Sequence, residues 1–148
     1  MKLDEATIER IRVKLAEVCP ELPVRLVVQF GSQADGRARP DSDVDIGVWF
    51  IGDTDYEALG EIRAIAEVVA GDREVDCIPL RWDAPTLVLN VALSCIPLYY
   101  RTERDFIDFL LTAHRVYDDH AGWRRAMKEF VDAWLARRGY GLHTADTG

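Results

Sequence analysis

The chain has 148 residues, 49% of them hydrophobic, and a formal net charge of −8. This length suits a single domain of residues 1–148 with a sizeable core, and the apolar content excludes a disordered chain. No apolar run reaches the ~20 residues that span a bilayer, so we expect no membrane association. Phosphate backbones are bound by dense Lys and Arg, so an acidic chain is not expected to bind nucleic acid directly and suits a basic protein partner.

The N-terminus and the cysteines predict a cytoplasmic protein. The first residues lack the charged region followed by an apolar one that marks a signal peptide. Cys19, Cys77 and Cys95 are odd in number, widely spaced and set in apolar surroundings, which indicates buried free thiols in a reducing compartment. A zinc site is not expected, because the sequence contains no C-x-x-C pair.

The chain begins with a helix followed by a buried strand. Residues Asp4 to Cys19 are predicted to be helical, because apolar residues recur there at helical spacing: Ile8, Ile11, Leu15 and Val18. Pro20 and Pro23 end this helix. The strongly apolar stretch Val24 to Phe30 then predicts a strand.

The segment after this strand carries the residues of greatest chemical interest. The chain turns at Gly31-Ser32, passes through a polar segment and enters a second strand, predicted from Asp43 to Ile51. Side chains alternate along a strand, so Asp43 and Asp45 share one face, and Val44, Ile46, Val48 and Phe50 share the other. Two adjacent carboxylates repel each other and need a cation to remain ionised. Mg²⁺ takes such oxygen ligands and keeps positions open for substrate phosphates.

Gly31 and Ser32 have the properties of a phosphate-binding turn. A glycine allows the backbone to approach a phosphate closely, and a serine hydroxyl with nearby N–H groups can face the anion. Residues Gln33 to Arg37 are predicted to form one helical turn, and a loop through Pro40 leads to Asp43.

A third aspartate lies on the next predicted strand. A helix is expected to start at the capping-box pattern Thr54–Glu57 and to end at Gly71. The strand Arg73 to Leu80 follows, in which Asp76 faces away from Val75 and Cys77. Burying such an aspartate without a partner is costly, which makes Asp76 a candidate third carboxylate of the same site. The alternative is an aspartate of an edge strand that simply points into solvent.

The C-terminal half is predicted to be mainly helical. A buried helix starts at Asp83-Ala84-Pro85, and residues 97–100 form a short edge strand. A helical region from Thr102 to about Gly139 is interrupted near Asp118–Gly122, and residues 140–148 form a loose tail. Its second half carries an apolar stripe, which is core by default and a partner surface if the domain cannot cover it: Trp123, Met127, Phe130, Val131, Trp134 and Leu135. The fold class is therefore α/β (α+β), a small mixed sheet that carries the aspartates on one face, with helices covering the other.

The motif as a whole resembles a known family. Gly31-Ser32, ten intervening residues and Asp43-Val44-Asp45, with Ser42 before the first aspartate, match the signature of the DNA polymerase β-like nucleotidyltransferases. The small size, the stretch 98–105 and Tyr117-Asp118 resemble the minimal nucleotidyltransferase (MNT) antitoxins, which are encoded beside HEPN-domain RNase toxins.

This resemblance implies a role for each motif residue. Asp43 and Asp45 would hold two Mg²⁺ ions, with Mn²⁺ as a possible substitute, and Asp76 would complete the site of the ion that activates the acceptor. Gly31 and Ser32 would bind the β- and γ-phosphates of ATP, assisted by Ser42. Arg37 or Arg39 would contact the triphosphate, although each could equally be an ordinary surface charge.

The resemblance also implies an activity and a partner, the transfer of AMP from ATP to a tyrosine of a cognate HEPN toxin. Two alternatives stay open: a small-molecule nucleotidyltransferase of the aminoglycoside-modifying kind, and a non-catalytic antitoxin that only binds its toxin. One departure from the family concerns the segment after Gly-Ser. Many relatives have Arg-Ala-Arg-Gly there, whereas this chain has Gln33-Ala34-Asp35-Gly36. The carboxylates are intact, which favours an active enzyme.

Overall fold

A computed structural model describes residues 3–31, 43–71 and 73–139. It contains, in chain order, α1 (Glu5–Val18), a 3₁₀ turn (Cys19–Glu21), β1 (Val24–Phe30), β2 (Val44–Phe50), α2 (Tyr56–Ala70), β3 (Val75–Pro79), α3 (Pro85–Ser94), β4 (Ile96–Tyr100) and α4 (Glu103–Arg137). The predicted tail at 140–148 and the predicted helical turn at 33–37 lie outside the described residues.

The four strands form one mixed sheet in the order β3-β2-β1-β4. Strand β1 is antiparallel to both β2 and β4, whereas β2 and β3 are parallel and are connected through α2. The predicted α+β class with a small mixed sheet is confirmed. As predicted, β4 is an edge strand, and Pro97 lies in it, where a missing N–H is tolerated.

Helices pack on both faces of the sheet: the face opposite the aspartates is covered as predicted, and helices also cover part of the face that carries the aspartates. One face is covered by α1 and α2, and its core includes Ile11, Ile62 and Ile46. The other face is covered in part by α3 and α4, and its core includes Val28 and Phe109. The central strand β1 is apolar on both sides, since Val27 contributes to the first core and Val28 to the second. A central strand with two apolar faces needs a helical layer on each side.

Two helices differ in detail from the prediction. The N-cap of α2 is Asp55, whose carboxylate accepts a 3.0 Å hydrogen bond from the backbone N–H of Ala58, so no capping box forms at Thr54. Helix α3 is not buried on all sides. Only Val88 and Val91 are buried there, and Leu93 is 66% exposed, because the helix packs against the protein through a single face.

Helix α4 runs without interruption for 35 residues, so the predicted break near Asp118–Gly122 does not occur. A single interior glycine such as Gly122 costs a helix only about 1 kcal/mol, and no proline accompanies it. Among the helix's residues only Asp105, Phe109 and Ala113 are buried. The helix is ~52 Å long at 1.5 Å per residue, and its last two thirds continue beyond the part that packs on the domain. No helix in the described part of the chain is long and apolar enough to cross a membrane.

The start of α4 is fixed to the sheet by one buried carboxylate. Asp105 accepts hydrogen bonds from the backbone N–H of Thr102 (3.1 Å) and from its hydroxyl (2.9 Å) through Oδ2, which forms a capping box. Its Oδ1 accepts from the guanidinium of Arg25 at 3.0 Å, and the same guanidinium lies 4.2 Å from the centre of the Trp49 ring. Burial raises the pKa of Asp105, but the hydrogen bonds from Thr102 and Arg25 outweigh it and hold the pKa below the ordinary value.

We expect Asp105→Ala to lower the free energy of unfolding by about 2–3 kcal/mol, because it leaves a half-buried arginine and a helix N-terminus without their acceptor. Urea unfolding at neutral pH measures this loss. Since the pKa of Asp105 is depressed, its stabilisation is present above the ordinary pKa and is lost as the pH falls through the folded-state pKa. Asp108→Ala, which removes an exposed partner of Arg104 on the same helix, should cost under about 0.5 kcal/mol. Equal losses in the two variants would contradict the assignment.

Candidate active site

Strand register brings the candidate aspartates to one end of the sheet. Asp45 lies opposite Phe30 of β1 on one side and opposite Asp76 of β3 on the other. Neighbouring strands are ~4.8 Å apart, so the backbones of Asp45 and Asp76 are adjacent. Asp43 directly precedes β2 and is exposed. Gly31 directly follows β1, next to the same end of β2.

The carboxylates of Asp45 and Asp76 share the face on which α3 and α4 pack. Val44 and Ile46 are fully buried against α1 and α2, which places Asp45 between them on the opposite face. In the same way, Val75 is buried in that core and Asp76 is exposed. Strand β3 is an edge strand, so Asp76 does have the solvent exposure considered in the alternative interpretation. It nevertheless lies directly beside Asp45.

The electrostatics of Asp45 reflect this grouping. Its side chain is half-buried, and this burial raises its pKa above the ordinary value. The negative charges of Asp76 and then Asp43 raise it further. Three carboxylates therefore interact through Asp45, and a proton or a cation beside Asp45 would relieve the repulsion.

Gly31 is required at its position by backbone conformation and by space. Its φ is +76°, in the left-handed region that favours glycine. A Cβ atom built at Gly31 would collide with Oδ2 of Asp45. The end of β1 thus passes directly against the carboxylate at the centre of the acidic group, and a side chain here would displace that carboxylate.

The residues present fit magnesium bound jointly by protein and substrate. Carboxylate oxygens are the hard ligands that this ion prefers, and it is usually held by one or two carboxylates together with substrate phosphates and water. Within the described residues, no three His, Cys, Asp or Glu side chains are close enough to hold a single ion. Asp45, with Asp43 and Asp76 beside it, therefore offers oxygen ligands that the phosphates of a nucleotide and water would complete.

Several residues assigned from the sequence lie outside the described residues: Ser32, Gln33, Asp35, Arg37, Arg39 and Ser42. Their roles stay predictions. Gly31 is the last described residue before this segment, and Asp43 is the first one after it.

The sequence interpretation overlooked Gln29, although it is the one polar residue of an otherwise apolar stretch, residues 26–30. Its side chain is 1% exposed, and within the described part of the chain neither amide atom has a hydrogen-bond partner. Gln29 lies opposite Ile46 and Ile96, on the α1 and α2 face, so it lies behind the sheet from the aspartates.

The cysteines do not provide nucleophiles. Cys19, Cys77 and Cys95 are all free, as predicted. Burial raises the pKa of Cys19 and of Cys77 to about 12, and that of Cys95 to about 11. Since the thiolate is the reactive form, these thiols are inert near neutral pH.

Comparisons with known proteins agree with the geometry. Residues 13–104 match the family described as polymerase beta, nucleotidyltransferase. Among solved structures, a toxin–antitoxin complex with AMP-PNP contains a similar chain, with 26% identity and a TM-score of 0.66 over 87% of this chain and 98% of that one. A complex of MntA and HepT gives 23% identity and a TM-score of 0.63 over 86% and 98%.

A third similar structure is a tri-AMPylated HEPN toxin of Shewanella oneidensis in complex with an MNT antitoxin, with 22% identity and a TM-score of 0.60 over 84% and 98% of the two chains. A search among curated proteins gave no match. The family match covers more than half of the chain and includes Gly31, Asp43, Asp45 and Asp76. With a mixed sheet that gathers these residues at one end, the chain belongs to the polymerase β nucleotidyltransferase family.

Proposed function

We propose that this protein is a Mg²⁺-dependent nucleotidyltransferase that acts as an antitoxin and transfers AMP from ATP to a tyrosine of a cognate HEPN toxin. The observation that carries the proposal is the position of Asp45, which lies opposite Asp76 on the neighbouring strand, two residues after Asp43, and directly against Gly31. The toxin and the modification are suggested by the similar structures, which are toxin–antitoxin complexes, one of them with an AMPylated toxin. A nucleotide donor is suggested by the AMP-PNP complex.

The proposed reaction is a displacement at the α-phosphorus of ATP. The tyrosine oxygen forms a bond to that phosphorus, the bond to the oxygen that bridges to the β-phosphate breaks, and pyrophosphate leaves. The tyrosine proton passes to solvent or to a nearby carboxylate. Bound Mg²⁺ ions would offset the negative charge on the phosphates and on the reacting oxygen.

In this proposal, the ions would be held by Asp43, directly before β2, and by Asp45 within it. Asp76 of β3 contributes a carboxylate on the side of the acceptor. Gly31 leaves space beside Asp45 for the phosphates. From the sequence alone, the proposal adds phosphate contacts from Ser32, Ser42 and Arg37. It also takes residues 1–148 as a single domain.

The test uses the purified protein together with the toxin encoded beside it. With ATP and Mg²⁺, we expect a mass increase of one or more AMP units on a toxin tyrosine and a parallel loss of RNase activity. An unmodified toxin that is nevertheless silenced would favour the non-catalytic antitoxin. An unmodified toxin, together with a nucleotidylated aminoglycoside or other small alcohol, would favour the small-molecule enzyme.

We expect Gly31→Ala to lower the rate of AMP transfer by about 10²-fold, because its Cβ displaces the central carboxylate, and misplaced catalytic groups cost about this much. The positive φ adds a stability loss of about 1 kcal/mol. Steady-state transfer and thermal unfolding measure the two effects separately.

Gly52→Ala is the matched control for Gly31→Ala. Gly52 has the same φ of +76°, but a Cβ there would have no atom within 4 Å. The control should lose comparable stability and keep its transfer rate. If both variants lost transfer equally, the effect would come from backbone strain and not from the contact with Asp45.

A further inference from the structure

Helix α4 carries one stripe of mainly apolar residues that starts in the core and ends in solvent. The stripe repeats at alternating intervals of four and three residues: Phe109, Ala113, Val116, His120, Trp123, Met127, Phe130 and Trp134. This is the heptad spacing with which one helix packs along another. Phe109 and Ala113 are fully buried by the domain, whereas Trp123 and Phe130 are 61% and 60% exposed. The domain covers only the first part of a surface that the sequence continues for five more turns.

The exposed part of the stripe is rich in the residues that dominate protein interfaces. Two tryptophans, a phenylalanine and a methionine follow one another along it, and Val131 beside them is 42% exposed. Large aromatic side chains are enriched at the centre of interfaces and contribute most of the binding energy there. Exposing them without a partner is unfavourable, so we expect them to be covered in the functional assembly.

The exposed part of the helix also differs in charge from the rest of the protein. Residues 114–138 contain six Lys and Arg and four Asp and Glu, a net charge of +2 against −8 for the whole chain, which leaves −10 elsewhere. Two arginines lie against aromatic rings: the guanidinium of Arg124 is 4.3 Å from the Tyr117 ring centre, and that of Arg138 is 3.9 Å from that of Trp134. A surface complementary to this one is an apolar helix face bordered by carboxylates.

Parallel pairing with a second copy is blocked by the fold. The stripe faces its own domain at Phe109 and Ala113, so a parallel partner helix would bring a second domain into the space that the first one occupies.

A match to 87% of 148 residues comprises about 129 residues, and residues 1–113 can supply only 113 of them. The helix after Ala113 is therefore partly shared with a chain solved in a toxin–antitoxin complex.

From these observations we propose that the exposed stripe of α4, from Val116 to Trp134, is the surface on which the toxin docks, through an apolar helix of the toxin bordered by carboxylates. This inference rests on the proposed function for the identity of the partner. It adds that the affinity for the toxin comes from helix α4. The aspartate cluster then acts on a toxin tyrosine that docking brings close to it. The net negative charge of the chain, taken alone, had indicated a basic partner. The distribution of charge indicates an acidic border at this contact.

The experiment compares two substitutions of equally exposed apolar residues on the same helix. Phe130→Glu changes the stripe. Leu111→Glu changes a residue that is 66% exposed and lies ~160° around the helix from Phe109, a residue of the stripe. Toxin binding is measured by titration calorimetry without ATP, so that it does not depend on transfer. We expect Phe130→Glu to weaken toxin binding by ~30-fold or more, as removal of a central aromatic anchor does, and Leu111→Glu to leave it unchanged.

Binding of Mg²⁺-ATP by both variants controls for folding and should equal that of the original protein. The docking proposal is overturned if the toxin does not bind, or if it binds the two variants equally. It is also overturned if the antitoxin alone forms dimers that Phe130→Glu dissociates without changing toxin affinity. If the toxin binds through the stripe but receives no AMP, the docking surface stands and the proposed transfer activity fails.

Discussion

Replacing Asp43 and Asp45 together by asparagine should lower AMP transfer by at least ~10³-fold, the scale seen when charge stabilisation of a reacting group is removed. Asparagine keeps the size of each side chain and removes both negative charges. The variant should also lose Mg²⁺-dependent ATP binding, which calorimetry measures separately from the transfer rate. Asp83→Asn, which changes an exposed carboxylate paired with Arg81, is the control and should keep both properties.

The same double variant should be at least as stable as the original protein without metal. Burial and the neighbouring carboxylates raise the pKa of Asp45 in the folded state. Because the pKa is raised on folding, Asp45 contributes its whole stabilisation of the folded state below its unfolded-state pKa. This stabilisation is lost as the pH rises through the folded-state pKa. Near neutral pH the native protein therefore bears the repulsion, and the asparagines remove it.

Thermal unfolding between pH 4 and pH 7 tests this linkage. The melting temperature of the original protein should fall relative to that of the double variant as the pH rises, and Mg²⁺ with ATP should restore it by binding only the folded state. If the double variant were the less stable protein throughout this range, the carboxylates would be structural acceptors and not a repelling cluster. Its loss of transfer would then reflect a damaged fold.

The strands and the acidic pair could be predicted because local periodicity determines them. Alternation of buried and polar residues along a strand predicts Asp43 and Asp45 on one face, independently of the rest of the fold. In agreement with this alternation, Val44 and Ile46 lie in the core. The strand ends fell within a few residues of their predicted positions. The β3 prediction also succeeded, because a single charged residue among apolar ones indicates which face is exposed.

Other features depended on contacts that no local pattern contains. The sequence could not show that β3 lies beside β2 in the register that sets Asp76 opposite Asp45, since this pairing is fixed by the α2 crossover and by packing. The break predicted in α4 does not occur, because the apolar heptads on either side of Asp118–Gly122 favour one continuous helix more than the acidic run and the glycine disfavour it. The sequence did not show which helices pack on the face of the aspartates, where the aspartates occupy one end and α3 and α4 cover part of the rest.

Asp76→Asn tests the predicted third carboxylate, whose position beside Asp45 depends on the pairing of β3 with β2. We expect it to lower the rate constant of AMP transfer by ~10²–10³-fold, because a carboxylate next to the acceptor would no longer offset charge or take up the proton. The affinity for Mg²⁺-ATP should change by less than about threefold, since in the proposal Asp43 and Asp45 hold the nucleotide's ion. Rapid-quench measurement of a single turnover separates these two effects.

Glu74→Gln is the matched control, because Glu74 is also exposed and lies two residues before Asp76, on the same side of the edge segment. Glu74 precedes β3, and its backbone carbonyl accepts a 2.8 Å hydrogen bond from the N–H of Val44. The control variant should transfer AMP at the original rate, because the proposal assigns no metal or acceptor role to the carboxylate of Glu74. If both variants transferred AMP at the rate of the original protein, Asp76 would be an ordinary solvent-exposed aspartate. An equal loss in both would point to the negative charge of the edge strand as a whole. Only a selective loss in Asp76→Asn assigns catalysis to the carboxylate that β3 sets beside Asp45.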